Sequence, residues 1–228
     1  MPPRLLHPLL LVAVAATVFV AGCGGDSDSG GEGTTAAEPF EPQASIAAIG
    51  GTARTDKPEL VTRVEARPGD VGIRSAAVTL PAAFIVDQTQ IRNLCSESEL
   101  EEDECAGRKP MGVARIVSPV FDEALTGPVY AVSGSGGLPR LAYVLGGPAE
   151  FLLRGRIVVR GARIEATLED APNTPLETFE LTIDGGPPGY LILSRDICRS
   201  ETTADVSFTS QSGETFAQRI PLAADCGA

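Results

Sequence analysis

Tryptophan is absent from this chain, tyrosine occurs three times, lysine appears only as Lys57 and Lys109, and the single histidine is His7. His7 falls in an N-terminal segment expected to be removed on export. The remaining chain then has no imidazole for a Ser-His-Asp or Cys-His arrangement, and none for a His-ligated zinc site. Two lysines leave little material for a Ser-Lys dyad. Few aromatic platforms weigh against a glycosidase built on paired carboxylates. No Gly-x₄-Gly-Lys phosphate loop occurs. The run Ser133-Gly134-Ser135-Gly136-Gly137 follows Ala131, where a nucleophile elbow needs glycine. No enzyme, catalytic residue, cofactor or metal is expected.

The N-terminus carries the clearest signal. Arg4 gives a short positive n-region, and an apolar stretch runs from Leu9 to Val20, broken only by Thr17. A membrane-spanning helix needs about 20 apolar residues, so this length suits the h-region of a signal peptide better. It ends in Val20-Ala21-Gly22-Cys23, which resembles the lipobox of bacterial lipoprotein precursors. The expectation is a lipoprotein signal peptide over 1–22, with Cys23 as the lipidated first residue of the mature protein. Diacylglycerol on Cys23, with palmitate-type chains, supplies the two acyl chains that stable anchoring requires. That places the protein on the extracytoplasmic face of the cell membrane. Residue 24 is glycine, so no acidic retention signal follows the cysteine.

Removing residues 1–22 takes Arg4 from the 18 cations and leaves 17 against 30 acids, a net charge of −13. An acidic domain is a poor partner for nucleic acid, which rewards clustered positive charge. Four further cysteines remain: Cys95, Cys105, Cys198 and Cys226. Outside the cytoplasm an even count reads first as two disulfides. Three connectivities exist. The local pairs Cys95–Cys105 and Cys198–Cys226 are favoured, worth about 3 and about 3.5 kcal/mol in a chain-entropy estimate. A Cys₄ metal site would want closer Cys-x₂₋₄-Cys pairs.

Residues 23–53 are rich in Gly, Ser, Thr, Ala and Pro and read as a lipid-anchored flexible linker, with the folded domain over 54–228. Asp26-Ser27-Asp28 opens like a calcium loop, but the twelfth position is Ala37 instead of a bidentate Glu. Beyond residue 54 the hydrophobic period is two. Ile164, Ala166 and Leu168 alternate with charged and polar neighbours, as do Phe179, Leu181 and Ile183. Both runs predict half-buried strands. Weaker candidates are 60–66, 71–80, 113–117, 128–132, 140–145, 152–159, 190–193, 205–209 and 215–220. Gly/Pro turns such as Gly185-Gly186-Pro187-Pro188-Gly189 separate them. The expected fold is all-β, an antiparallel β-sandwich of about nine to eleven strands. Full burial would make Phe179→Ala or Leu181→Ala cost about 2–5 kcal/mol.

One short helical segment is expected near 87–103. Asp87 with Gln90 and Ser96 with Glu99 each have the spacing of a capping box. Between Cys95 and Cys105 lie Glu97, Glu99, Glu101, Glu102, Asp103 and Glu104. This run reads as a solvated acidic face in preference to a cation site, because carboxylates consecutive along a helix point in different directions.

From about residue 68 to Cys226 the chain resembles a four-cysteine β-domain of unknown function found in exported proteins of actinobacteria, often in tandem in large surface proteins. The resemblance rests on Val78-Thr79-Leu80-Pro81, Leu94-Cys95 to Glu104-Cys105, Leu125-Thr126-Gly127-Pro128-Val129-Tyr130 and Leu138-Pro139-Arg140-Leu141. It continues through Leu176-Glu177-Thr178-Phe179-Glu180-Leu181, Ile197-Cys198 and Asp225-Cys226. It implies an extracytoplasmic, disulfide-stapled β-domain and no assigned activity. This chain departs from the pattern in having a single copy behind a lipid anchor, and in Ala106-Gly107 where proline commonly follows the second cysteine.

The functional expectation is a non-catalytic structural or binding module of the cell envelope or surface. It is held by lipid and directed to an envelope polymer or surface protein. The alternatives are a transporter's substrate-binding lipoprotein and a carboxylate-based glycoside hydrolase. Cys23→Ser tests the anchor: in phase partitioning the variant should leave the detergent phase, and retention there would refute lipidation at this residue.

Overall fold

The computed structural model describes residues 39–102, 104–134 and 138–227. Cys23 and the signal segment lie outside them. Eleven strands close into a single barrel. In chain order the strands are β1 (Gln43–Ile49), β2 (Glu59–Glu65), β3 (Ile73–Thr79), β4 (Phe84–Val86), β5 (Gly112–Val117), β6 (Leu125–Val132) and β7 (Arg140–Leu145). They continue with β8 (Phe151–Arg160), β9 (Arg163–Leu168), β10 (Thr178–Ile183), β11 (Leu191–Leu193), β12 (Thr203–Ser210) and β13 (Thr215–Ala224). Around the barrel the order is β1-β13-β12-β3-β9-β8-β7-β6-β5-β10-β2, returning to β1, while β4 and β11 form a separate two-stranded ribbon.

The all-β reading holds, but the sandwich is corrected to a barrel. The closing step is β1. It pairs antiparallel with β2, from Gln43 opposite Glu65 to Ile49 opposite Glu59, and parallel with β13, from Ile46 opposite Leu222 to Ala48 opposite Ala224. Both edges of the sheet vanish at once. Sandwich and barrel each ask a strand for one inward and one outward face, so period-two patterning does not separate them. The folded unit also reaches back into the stretch read as linker. Ile46 and Ala48 are buried in the core, and Pro42 is fully enclosed.

Inward positions are almost all apolar, Thr62 being an exception, and outward positions carry Arg63, Arg115, Arg154 and Arg156 among others. That is the reverse of a membrane-spanning barrel, which presents an apolar band to lipid. Glycine serves the wall where strands approach closely: a Cβ at Gly127 would be driven into the Val144 carbonyl, and one at Gly112 into the Thr182 carbonyl.

The helical segment is a 3-10 turn at Gln90–Asn93, the short helix α1 (Glu97–Glu101) and a second 3-10 turn at Glu104–Gly107. The Ser96/Glu99 capping box forms: the Glu99 amide donates to the Ser96 hydroxyl, and the Ser96 amide to the Glu99 carboxylate. The Asp87/Gln90 box does not. Asp87 accepts from the amide and hydroxyl of Thr89 instead, and Gln90 donates its side chain to the Pro187 carbonyl. Cys95 bonds Cys105 and lies parallel to Val132. With Leu100, Tyr130 and Ala142 these residues make a second small core, against the outward faces of β6 and β7.

Burial predicts unequal responses to truncation. Phe84→Ala, at 0% exposure, should cost about 3–5 kcal/mol. Leu181 faces inward but is only half-buried, so Leu181→Ala should cost about 1–2 kcal/mol, less than full burial implies. Denaturant unfolding of both variants measures the difference, and equal losses would contradict an incompletely filled interior.

Candidate functional site

A cavity of about 180 Å³ occupies the barrel interior. Its wall is drawn from β2, β3 and β5 to β12, and every lining side chain is apolar or a neutral hydroxyl. The two ends differ. At one end Leu60, Leu80, Met111, Ile183 and Leu191 line the cavity, and all are buried. The β4–β11 ribbon closes this end. Phe84 and Leu193 pack inward from it, and Leu193 exchanges backbone hydrogen bonds with Thr55 and Asp56 of the β1–β2 loop. At the other end the cavity is lined by residues of the 169–177 loop, among which Pro172 and Pro175 are exposed. The mouth is therefore at this loop.

The loop crosses the mouth as a strap fixed on both sides. The Ala171 amide donates to the Arg74 carbonyl, and the Gln211 side chain donates to the Ala171 carbonyl. Beyond the prolines the Glu177 amide donates to the Val117 carbonyl, and the Ser118 hydroxyl donates to the Pro175 carbonyl at 2.6 Å. Proline at 172 and 175 stiffens the span between these ties. Phe121 and Phe151 meet edge to face beside it, with ring centroids 6.3 Å apart.

Four hydroxyl residues line the cavity, Ser118 and Thr174 toward the mouth and Tyr143 and Thr62 on the strands of the wall. Tyr143, on β7, extends its ring into the interior over Gly155, where a Cβ would stand 3.3 Å from the ring, and meets Phe179 edge to face at 6.3 Å. Thr62 enters from β2. Burial pushes the Tyr143 phenol up, so it stays protonated and is a hydrogen-bond donor.

The residues singled out from the sequence lie elsewhere. Cys95–Cys105 staples the outer wall, and Cys198–Cys226 joins the segment before β12 to the segment after β13. In the acidic run, Glu97 meets Arg140 and Arg154, and Glu99 meets Arg108. Among the described residues no cluster of His, Cys, Asp and Glu could hold a metal ion. A shallow hollow on the outside of β3, β9, β12 and β13 contains Glu165 and Asp205. Asp205 accepts from Arg219 and Arg163, which hold its carboxyl below the ordinary range. Sequence reading missed the cavity. Its available signal was a high strand count combined with small inward residues such as Ala76, Ala114 and Ala166.

Neither a protein-family model nor a curated protein sequence matches this chain.

The closed end is also an ion-paired junction. Lys57 reaches both Asp87 and the Pro187 carbonyl, tying three loops together. Lys57 and the Thr89 donors push Asp87 down to about 2. A depressed carboxyl stabilises the fold above its unfolded value near 4, and that contribution is lost as pH falls from about 4 to about 2. Lys57→Ala should raise the Asp87 midpoint and move acid unfolding to higher pH. Carboxyl-carbon titration by NMR, with melting measured across that window, checks both.

Proposed function

We propose that this protein is a lipid-anchored module on the extracytoplasmic face of the membrane whose barrel binds an apolar ligand. The observation that carries the proposal is the cavity: apolar walls, one closed end and one open end. Concave, mostly apolar sites with a few placed polar groups are the usual form of small-molecule binding sites. Engineered apolar cavities of about 150 Å³ stay dry and admit benzene or xenon. No ionisable carboxylate lines the cavity, which favours binding over glycoside hydrolysis. A single barrel also offers no hinged cleft between lobes, which favours a binding module over a transporter's clamshell receptor.

The two disulfides suit an oxidising compartment, and the lipobox-like Val20-Ala21-Gly22-Cys23 supplies the anchor in this reading. The membrane, reached through diacylglycerol on Cys23, is the first partner, and kinship with the exported four-cysteine β-domains belongs to the same proposal. The chain enters the barrel at its open end. Phe40 is buried there, and the Arg67 guanidinium donates to the Pro39 carbonyl.

Ala166 faces the cavity from β9, so Ala166→Phe should occupy the space without burying charge. Membrane-purified wild type, exchanged into a low-affinity detergent and extracted with organic solvent, should yield a bound apolar compound by mass spectrometry. Ala166→Phe should yield at least tenfold less and keep a wild-type melting temperature. Equal recovery from both would remove the cavity as the binding site.

A further inference from the structure

Tyr143 is 4% exposed and Thr62 6%, and both line the cavity. Neither hydroxyl has a hydrogen-bond partner among the described residues. No sealed side-chain nitrogen or oxygen among those residues lacks a partner. The two hydroxyls are therefore reached from the cavity itself. An unpartnered phenol inside an apolar chamber forgoes a hydrogen bond that a bound molecule can supply.

Charge narrows the molecule. The lining contains no Lys, Arg, Asp or Glu, so an ionised group inside would be desolvated with no counter-charge. The mouth is hostile to anions too. The five loops at that end, 66–72, 118–124, 146–150, 169–177 and 211–214, carry eight carboxylates against one cation, Arg67. Arg67 is engaged by Asp70 and the Pro39 carbonyl. Arg54, Lys57, Arg195 and Arg199 lie in the loops of the closed end. An anionic headgroup at the rim would sit within a Debye length, about 8 Å, of like charge.

We infer that the ligand is an uncharged amphiphile, an apolar chain whose hydroxyl, ester or carbonyl group hydrogen-bonds the Tyr143 hydroxyl inside the barrel. The inference rests on the apolar-ligand reading above and narrows it. On the scale where about 150 Å³ admits benzene, the cavity encloses roughly seven chain atoms, and a longer chain extends out through the mouth. A phenol both donates and accepts, so alcohols and carbonyl compounds are equally served. Thr62 offers a second hydroxyl for the same group or for a neighbouring oxygen.

The test uses the full chain carrying Cys23→Ser, recovered without detergent so that the protein's own acyl chains do not compete. Binding is read by the fluorescence of N-phenyl-1-naphthylamine, a neutral apolar dye. Decane, decan-1-ol, decanoate and decylammonium then displace the dye near neutral pH. Decan-1-ol should displace it at about three- to tenfold lower concentration than decane, the worth of one hydrogen bond. In a wholly apolar chamber the alcohol would instead be the weaker competitor, because its hydroxyl would be desolvated for nothing. Decanoate and decylammonium should both be weaker than the alcohol. Tyr143→Phe should abolish the advantage of the alcohol and leave decane unchanged.

Dye that fails to bind the Cys23→Ser chain overturns the apolar-ligand reading and this inference with it. Dye that binds, with alcohol no better than decane, overturns the inference alone. A charged competitor equal to or tighter than the alcohol overturns the claim of an uncharged ligand. Loss of decane and alcohol by the same factor in Tyr143→Phe reduces Tyr143 to a packing residue and overturns its role. The comparison of competitors without the Tyr143 substitution decides the matter even where that variant does not fold.

Discussion

β1 has a neighbour on each side, β2 antiparallel and β13 parallel, and the interior exists because both pairings are made. Without either, the sheet would keep two open edges and could flatten or fold over on itself. The parallel contact is made by strands at opposite ends of the described chain, so it closes a loop of nearly the whole domain. Long loops cost little more to close than moderate ones, since the entropy grows only logarithmically. The β12–β13 hairpin then presents a ready-made edge to β1. Cys198–Cys226 acts on the same hairpin, because its two cysteines lie just before β12 and just after β13. The disulfide therefore restrains the element that receives β1.

Closure with eleven strands sets the interior size. A barrel of about eight strands is just wide enough for its own side chains to fill, and the diameter grows with strand number. Here the inward positions are not enlarged to compensate. Ala76, Ala114 and Ala166 point inward, and the larger Leu168, Phe179 and Leu181 remain half-buried. Leaving about 180 Å³ unfilled forgoes contacts on the order of 4 kcal/mol, using the volume dependence found for engineered cavities. A domain that needed only stability would regain that energy with a few larger side chains. The walls are instead fixed by register, by the strap over the mouth and by the ribbon below, so the space persists in a defined shape.

Several elements were legible from residue order alone. The period-two runs at 163–168 and 178–183 are strands with the expected faces inward, and Arg140–Leu145 is a strand at the bounds its flanking turns suggest. Ser96 and Glu99 make their capping box because that motif is wholly local. β1 was hidden because Ala44, Ala47 and Ala48 are short, and a Gly/Pro-rich neighbourhood resembles a linker. β4 has three residues and pairs only with β11, far along the chain. The cavity was the least legible feature. Alternation states which face of a strand points inward, but nothing about what stands opposite across the barrel. Tyr143 illustrates this. In sequence it is one apolar residue in a strand, and its meaning comes from Gly155 beneath its ring, Phe179 facing it, and a hydroxyl left without a partner.

The polar side chains divide the same way. Arginine and carboxylate residues are numerous, yet they are spent on the outer wall. Glu97 is held between Arg140 and Arg154, and Asp205 between Arg163 and Arg219. Exposed pairs of this kind contribute little stability each, typically under about 1 kcal/mol. Their larger effect is to hold the outer surface polar while the inner one stays free of charge. Segregation this complete leaves an incoming molecule two ways of being recognised inside: shape against apolar walls, and a hydrogen bond to Tyr143 or Thr62. Both favour a molecule that carries its polarity at one uncharged point.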